Sequence, residues 1–190
     1  PNSDQKIRET NPEFRLGDEL AINRGFPYYT GAILKTSNRG ASWTASNSIP
    51  KDFSTIISVD FIDSQTGYIC GDNQIKNKFT PKIYKTNDAG NNWIEMKISN
   101  FNGSLRRILC RNEYVYCAGY MENNSSSATS VSDGILLMST NSGVSWSNTI
   151  FPLLDHISGI KFIDANTGFI CGVFDTSMNK PYSSGIYKTT

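Results

Sequence analysis

A chain of 190 residues suits a single domain, and a domain of this size buries enough of its unfolded surface to need no staples. Its 18 basic and 17 acidic residues leave a net charge of +1, which argues against a dedicated nucleic-acid binder. No apolar run of about 18 residues occurs, so no helical membrane span is expected. Asn, Ser, Thr and Gly crowd between short apolar runs, and this predicts many short strands joined by turns.

In chain order, the sequence opens at Pro1 without a Met, which reads as a processed or trimmed product. Residues 1–14 contain Pro12 and few apolar side chains and make a poor strand. A weak strand–turn–strand pattern runs over 14–24, and a much clearer one over 61–71 recurs at 162–172, an offset of 101 residues. A decayed form of it spans 109–119. Between these lie three segments that align without gaps, 33–43, 83–93 and 136–146, and residues 186–190 begin the same way. All three tryptophans, Trp43, Trp93 and Trp146, share one repeat position, spaced by 50 and 53 residues.

Each repeat therefore reads as strand, turn, strand, variable loop, strand, turn, strand. In the second repeat, Ile57, Val59 and Phe61 are expected to alternate toward one buried face, followed by a turn over 63–67 and strands at 68–71, 82–86 and 93–98, with a loop over 72–81. Asp63 and Asp164 hold equivalent positions and read as turn residues rather than a carboxylate pair. The predicted architecture is all-β: a single β-propeller domain or propeller fragment over 1–190. It would be built of four-stranded antiparallel blades at about 14–50, 54–99, 104–151 and 157–190, three and a half to four in all.

The second motif resembles the Asp-box, or bacterial neuraminidase repeat: Thr36, Asn38, Gly40, Ser42, Trp43; Thr86, Asp88, Gly90, Asn92, Trp93; Ser139, Asn141, Gly143, Ser145, Trp146. Its physical job is a hairpin turn. The Asp or Asn accepts backbone N–H groups, Gly takes the positive φ, and Trp covers the turn and buries a large area. These residues are expected to be structural. Together with the 61–71 pattern, the chain looks most like the photosystem II stability/assembly factor family of propellers, a likeness covering nearly all of 14–190. That resemblance implies a non-catalytic binding or assembly protein outside the cytoplasm (secreted, periplasmic or surface-anchored), with a protein or carbohydrate ligand. The box also occurs in sialidases, xyloglucan-cleaving enzymes and sortilin-type receptors, so it speaks for fold before function.

The alternative is a fragment of an exo-acting Asp-box glycoside hydrolase. Against a sialidase, the Arg-Ile-Pro motif is absent and no arginine follows Arg111. Asp72, Glu122, Asp155 and Asp175 fall in or near loops, but their spacing singles out no acid–base pair. His156 is the only histidine and has no nucleophile motif beside it. Lys76, Lys78 and Lys82 form one basic cluster and Arg106, Arg107 and Arg111 another, both read as solvated surface. Asn102, Asn123 and Asn124 begin glycosylation-type triplets.

No catalytic residue, cofactor or metal site is assigned, since the cysteines match no zinc spacing. Cys70 and Cys171 read as buried small residues, whereas Cys110 and Cys117 flank a tight turn and are candidates for a bridge. The stretches 71–83, 119–136 and 172–186 differ in length, and loops on a rigid scaffold are where binding concentrates. The candidate binding residues are Tyr28, Tyr29, Lys76, Lys78, Tyr120 and Tyr182. The last repeat stops one strand short, so an open blade edge is expected. It would be covered by residues 1–14, by further chain, or by a second copy as a homo-oligomer.

Overall fold

The computed structural model describes residues 31–46, 48–75, 78–123, 132–174 and 184–189, and every regular element among them is a strand. The protein is thus all-β, with antiparallel pairing throughout. The first sheet is the pair β1 (Leu34–Lys35) and β2 (Thr44–Ala45). The second runs β3 (Thr55–Phe61), β4 (Gly67–Ile75), β5 (Lys78–Thr86) and β6 (Ile94–Glu95), in that spatial order. The third repeats it with β7 (Gly103–Arg111), β8 (Tyr114–Glu122), β9 (Ser132–Ser139) and β10 (Ser147–Phe151). The fourth contains β11 (Leu154–Phe162), β12 (Gly168–Phe174) and β13 (Ser184–Thr189). Each is a simple meander and none closes on itself.

The repeated turns after β1, β5 and β9 share one hydrogen-bond pattern. The Thr36 hydroxyl accepts from Gly40 N–H (2.9 Å) and donates to Asn38 Oδ1 (2.9 Å), which also accepts from Ser42 N–H (2.9 Å). Thr86, Asp88, Gly90 and Asn92 do the same, as do Ser139, Asn141, Gly143 and Ser145. Two successive residues take positive φ, not the glycine alone: Arg39, Ala89 and Ser142 lie at 56–58° before the glycines at 83–89°. The third and seventh positions match in donor and acceptor. Asn38 and Asn141 donate their amides to serine hydroxyls, whereas the Asp88 carboxylate accepts the Asn92 amide (2.7 Å). The other turns close on Asp63 and Asp164, each accepting two N–H groups at 2.7–2.8 Å.

A feature invisible to the alternation rule recurs in the first strand of each full repeat. A β-bulge lies between Ile56 and Ser58, between Leu105 and Arg107, and between Ile157 and Gly159. Opposite it stands a glycine, and a Cβ there would meet the facing carbonyl oxygen at 1.9 Å from Gly71 and Gly119, and at 2.2 Å from Gly172. The bulge also resets the phase of β3. Val59 and Phe61 are exposed rather than buried, while Ser58 and Asp60 turn to the next sheet and accept the N–H groups of Ile108 (3.2 Å) and Cys110 (2.7 Å).

The sheets stack face to face. Tyr68, Cys70 and Ile83 of the second meet Leu105, Ile108, Val115, Cys117, Ile135 and Leu137 of the third. Each fully buried aliphatic side chain here contributes about 1.5–3 kcal/mol. Ala118 and Leu136 on the other face of the third sheet pack with Leu154, Ile157 and Ile170 of the fourth. Ile69 and Tyr84, with Phe53, face Ile33 of the first hairpin. Polar ties repeat as well: Lys35 donates to Ala89 O (3.0 Å) and Lys85 to Ser142 O (3.4 Å), each from one sheet to the next.

Several expectations need correction. Most of 72–81 is strand, because β4 and β5 pair through Ile75 and Lys78; β6 is only two residues long. Trp43 is 59% exposed and buries no large area, whereas Trp93 and Trp146 are partly buried against the cores. Cys171 is exposed, and Cys110 and Cys117 are free.

Candidate functional site

The meanders give the stack two ends. Because β4 and β12 leave the Asp63-type turns, β8 leaves the two-residue turn Asn112–Glu113, and β5 and β9 return to the Trp-bearing turns, both kinds of turn lie at one end. They are joined there, by Ala89 N–H to Gln65 O and Ser142 N–H to Glu113 O, both 2.9 Å. The variable connections emerge at the other end. The repeated turn residues, Thr36, Asn38, Gly40, Thr86, Asp88, Gly90, Ser139, Asn141 and Gly143, use their polar groups within their own turns. Nothing in that geometry leaves a carboxylate or hydroxyl poised for a substrate.

Two polar clusters occupy the variable end. Between the second and third sheets, Asp72 is buried, and its Oδ2 accepts the Ser104 hydroxyl at 2.6 Å, while Oδ1 is buried without a hydrogen bond. Burial pushes its carboxyl above the usual range, opposed by the Ser104 hydrogen bond and the Arg106 charge. The exposed Arg106 guanidinium sits 5.1 Å from the centre of the Tyr120 ring. Burial raises the Tyr120 phenol, and Arg106 works against it. Arg106 is the extra residue of the β7 bulge, which explains why it and Arg107 are both exposed.

Between the third and fourth sheets, the Ser132 hydroxyl donates to Asp155 Oδ1, and Asp155 Oδ2 lies 3.1 Å from His156 Nδ1. Asn123 donates to Asp133 (2.7 Å) beside them. The carboxylate, not the imidazole, is central, so His156 is not placed to take a proton from Ser132. The arrangement lacks the nucleophile–base contact of a serine hydrolase.

Of the residues singled out in the sequence, Tyr120 lies in β8 rather than in a loop, half-buried beneath Arg106. Lys78 is exposed at the start of β5. Tyr28, Tyr29, Lys76, Tyr182 and Asp175 lie outside the described residues. Lys82 is no free cation: it pairs with Asp52 (2.9 Å) and Glu95 (2.5 Å), while the Tyr84 hydroxyl donates to Asp52. Arg111 donates to Asp164 O (2.6 Å). Reasoning from loops alone missed Ser104 and Ser132, both on strands; Arg106, read from sequence as solvated surface, is indeed exposed, and the doubled arginine marks the bulge.

A groove of about 850 Å³ lies between the first hairpin and the second sheet, walled by Leu34, Val59, Phe61 and Trp93. Trp93 Nε1 is buried there without a hydrogen bond, and Gly90 O, the counterpart of the acceptor used by Trp146, accepts the Ser48 hydroxyl at 2.8 Å. The corresponding space between the second and third sheets is filled by Tyr68 and Cys70 of β4.

Among the described residues, no group of three or more His, Cys, Asp or Glu is placed to hold a metal, and no helix is long and apolar enough to cross a membrane. No family model matches the chain, and no curated protein matches it.

Proposed function

We propose that the chain is a stretch of Asp-box β-propeller that acts outside the cytoplasm as a non-catalytic binding or assembly module for a protein or carbohydrate. The propeller reading is supported by sequential meanders stacked face to face at a repeat of about 50 residues, as blades are. The observation that carries the function is the difference between the two ends. One end repeats, with its polar groups spent on closing turns. The other varies and presents Arg106 over Tyr120 with Asp72, and Ser132 with Asp155 and His156. Arginine and tyrosine, rigid or pre-organised, are the side chains that contribute most at binding surfaces.

The test is an array of glycans and extracytoplasmic protein fragments probed with the intact chain. Arg106→Ala should abolish any binding found, and Asp88→Asn, at the opposite end, should leave it intact. The reverse outcome would overturn the assignment of the variable end.

A second reading, a piece of an exo-acting glycoside hydrolase, is favoured by one fact. Asp72, Glu122 and Asp155 share that end, and Asp72 is held toward its protonated form as a general acid would be.

A further inference from the structure

We propose that Asn102 is a self-modification site: the Gly103 main-chain nitrogen displaces its side-chain amide, leaving aspartate and isoaspartate at position 102 as the protein ages. The chain holds a single Asn-Gly pair, and the fold requires its glycine. Gly103 opens β7 at φ +148°, and a Cβ there would meet Tyr120 O at 2.1 Å. Glycine is also the residue that least hinders attack by its own nitrogen, having no side chain beside it. That nitrogen stands outside the ladder. Gly103 lies opposite Met121, and Glu122 N–H donates to Asn102 O at 2.8 Å, so Gly103 and Met121 form a non-hydrogen-bonded pair. Asn102 itself sits half-buried in a bend ahead of β7. Its side chain makes no hydrogen bond within the described residues, whereas those of Asn38, Asn73, Asn92, Asn123 and Asn141 each hold a partner.

The step needs only water. Gly103 N bonds to Asn102 Cγ, the Cγ–Nδ2 bond breaks, and ammonia leaves carrying the proton from Gly103 N–H. The five-membered imide then takes up one water. Opening at the side-chain carbonyl gives aspartate; opening at the main-chain carbonyl gives isoaspartate. Water enters, ammonia leaves, and one carboxylate is gained. A hydrogen bond to Glu122, the last residue of β8, holds the Asn102 carbonyl, and the end of a ladder opens at little cost. Isoaspartate lengthens the main chain by one methylene. The insertion falls between the Glu122 tie and Ser104, which donates to Asp72 Oδ2 at 2.6 Å, so it loosens the contact of the second and third sheets at the variable end.

The folded chain should be aged in mildly alkaline buffer at physiological temperature, beside a synthetic peptide of residues 97–106, then digested briefly at mildly acidic pH and mapped by mass spectrometry, with electron-transfer fragmentation to identify isoaspartate. Acid should accumulate at Asn102 at a rate within about tenfold of the free peptide's, since the ladder end opens readily. Asn100, exposed in the same peptide but followed by Phe101, should keep its amide. Asn102→Gln, whose ring closure is slower, should stay unmodified. The isoaspartate form, separated by ion exchange, should melt below the fresh chain. An Asn102 amide that survives in the folded chain while the free peptide converts, or faster conversion at another asparagine, would overturn the proposal. An unchanged melting temperature would overturn the loosening of the variable end.

Discussion

Glycine occurs in each repeat for two different reasons, and substituting alanine separates them. At Gly71, a Cβ would sit 1.9 Å from Thr55 O and 3.0 Å from the Phe53 ring. The obstacle is backbone held by the β3 bulge, so relief requires β3 and β4 to move apart by more than an ångström where Phe53 and Cys70 are packed. Overpacking costs about 1–3 kcal/mol when side chains can adjust; with backbone as the obstacle, about 3 kcal/mol or more is expected. The reduced freedom of the unfolded chain offsets only about 0.4–1 kcal/mol. At Gly40 a Cβ has room, its nearest neighbour being Trp43 at 3.8 Å, but φ is +89°. Gly40→Ala should therefore cost only the conformational strain, about 1–2 kcal/mol. Urea unfolding followed by far-ultraviolet circular dichroism measures both. Equal losses, or a Gly71→Ala protein as stable as the parent, would refute the close-approach argument.

Trp146→Ala should cost about 3 kcal/mol, since that ring packs on the larger core and donates to Gly143 O, whereas Trp43→Ala, at an exposed ring, should cost about 0.5 kcal/mol; denaturant midpoints decide. Asp63, Asp88 and Asp164 are held below the ordinary carboxylate value of 3.8, the first and last chiefly by backbone N–H groups and Asp88 by the Asn92 amide. Their contribution is complete above 3.8 and lost as pH falls through the lowered folded values, giving an acid limb in a melting-temperature profile that Asp88→Asn should reduce. Asp72 acts with the opposite sign: its folded value is raised, so stability falls as pH rises from 3.8 through it, and Asp72→Asn should flatten that part of the profile.

The strand order of each repeat and the turn roles of Asp63, Asn38, Asp88 and Asn141 were legible because their spacing recurs and each turn needs a short acceptor at a fixed offset. The bulges at Ile57, Arg106 and Ser158 were not, since an extra residue in a strand has no composition of its own. The two-residue phase of Val59 and Phe61 therefore pointed to the wrong face. The matching of Asn with Ser and of Asp with Asn across each turn was visible in the letters, but has meaning only once both side chains are seen to meet. Trp43 shows the limit of repeat logic: an identical residue in an identical turn is 59% exposed where Trp93 and Trp146 are partly buried. Tyr120, expected in a loop, lies on a strand under Arg106, and Ser104 beside Asp72 had no signal in the letters because only the stacking of β4 on β7 brings them together.

The most direct test of the central claim, that these repeats hold a binding surface and not a reaction centre, is turnover. The intact chain should be incubated with sialyl and xyloglucan-type oligosaccharides, and the released sugars quantified by chromatography across pH 4–8. No hydrolysis above the uncatalysed background is expected. Hydrolysis that disappears in Asp72→Asn or Asp155→Asn while the fold persists would contradict it and establish the glycoside hydrolase reading instead.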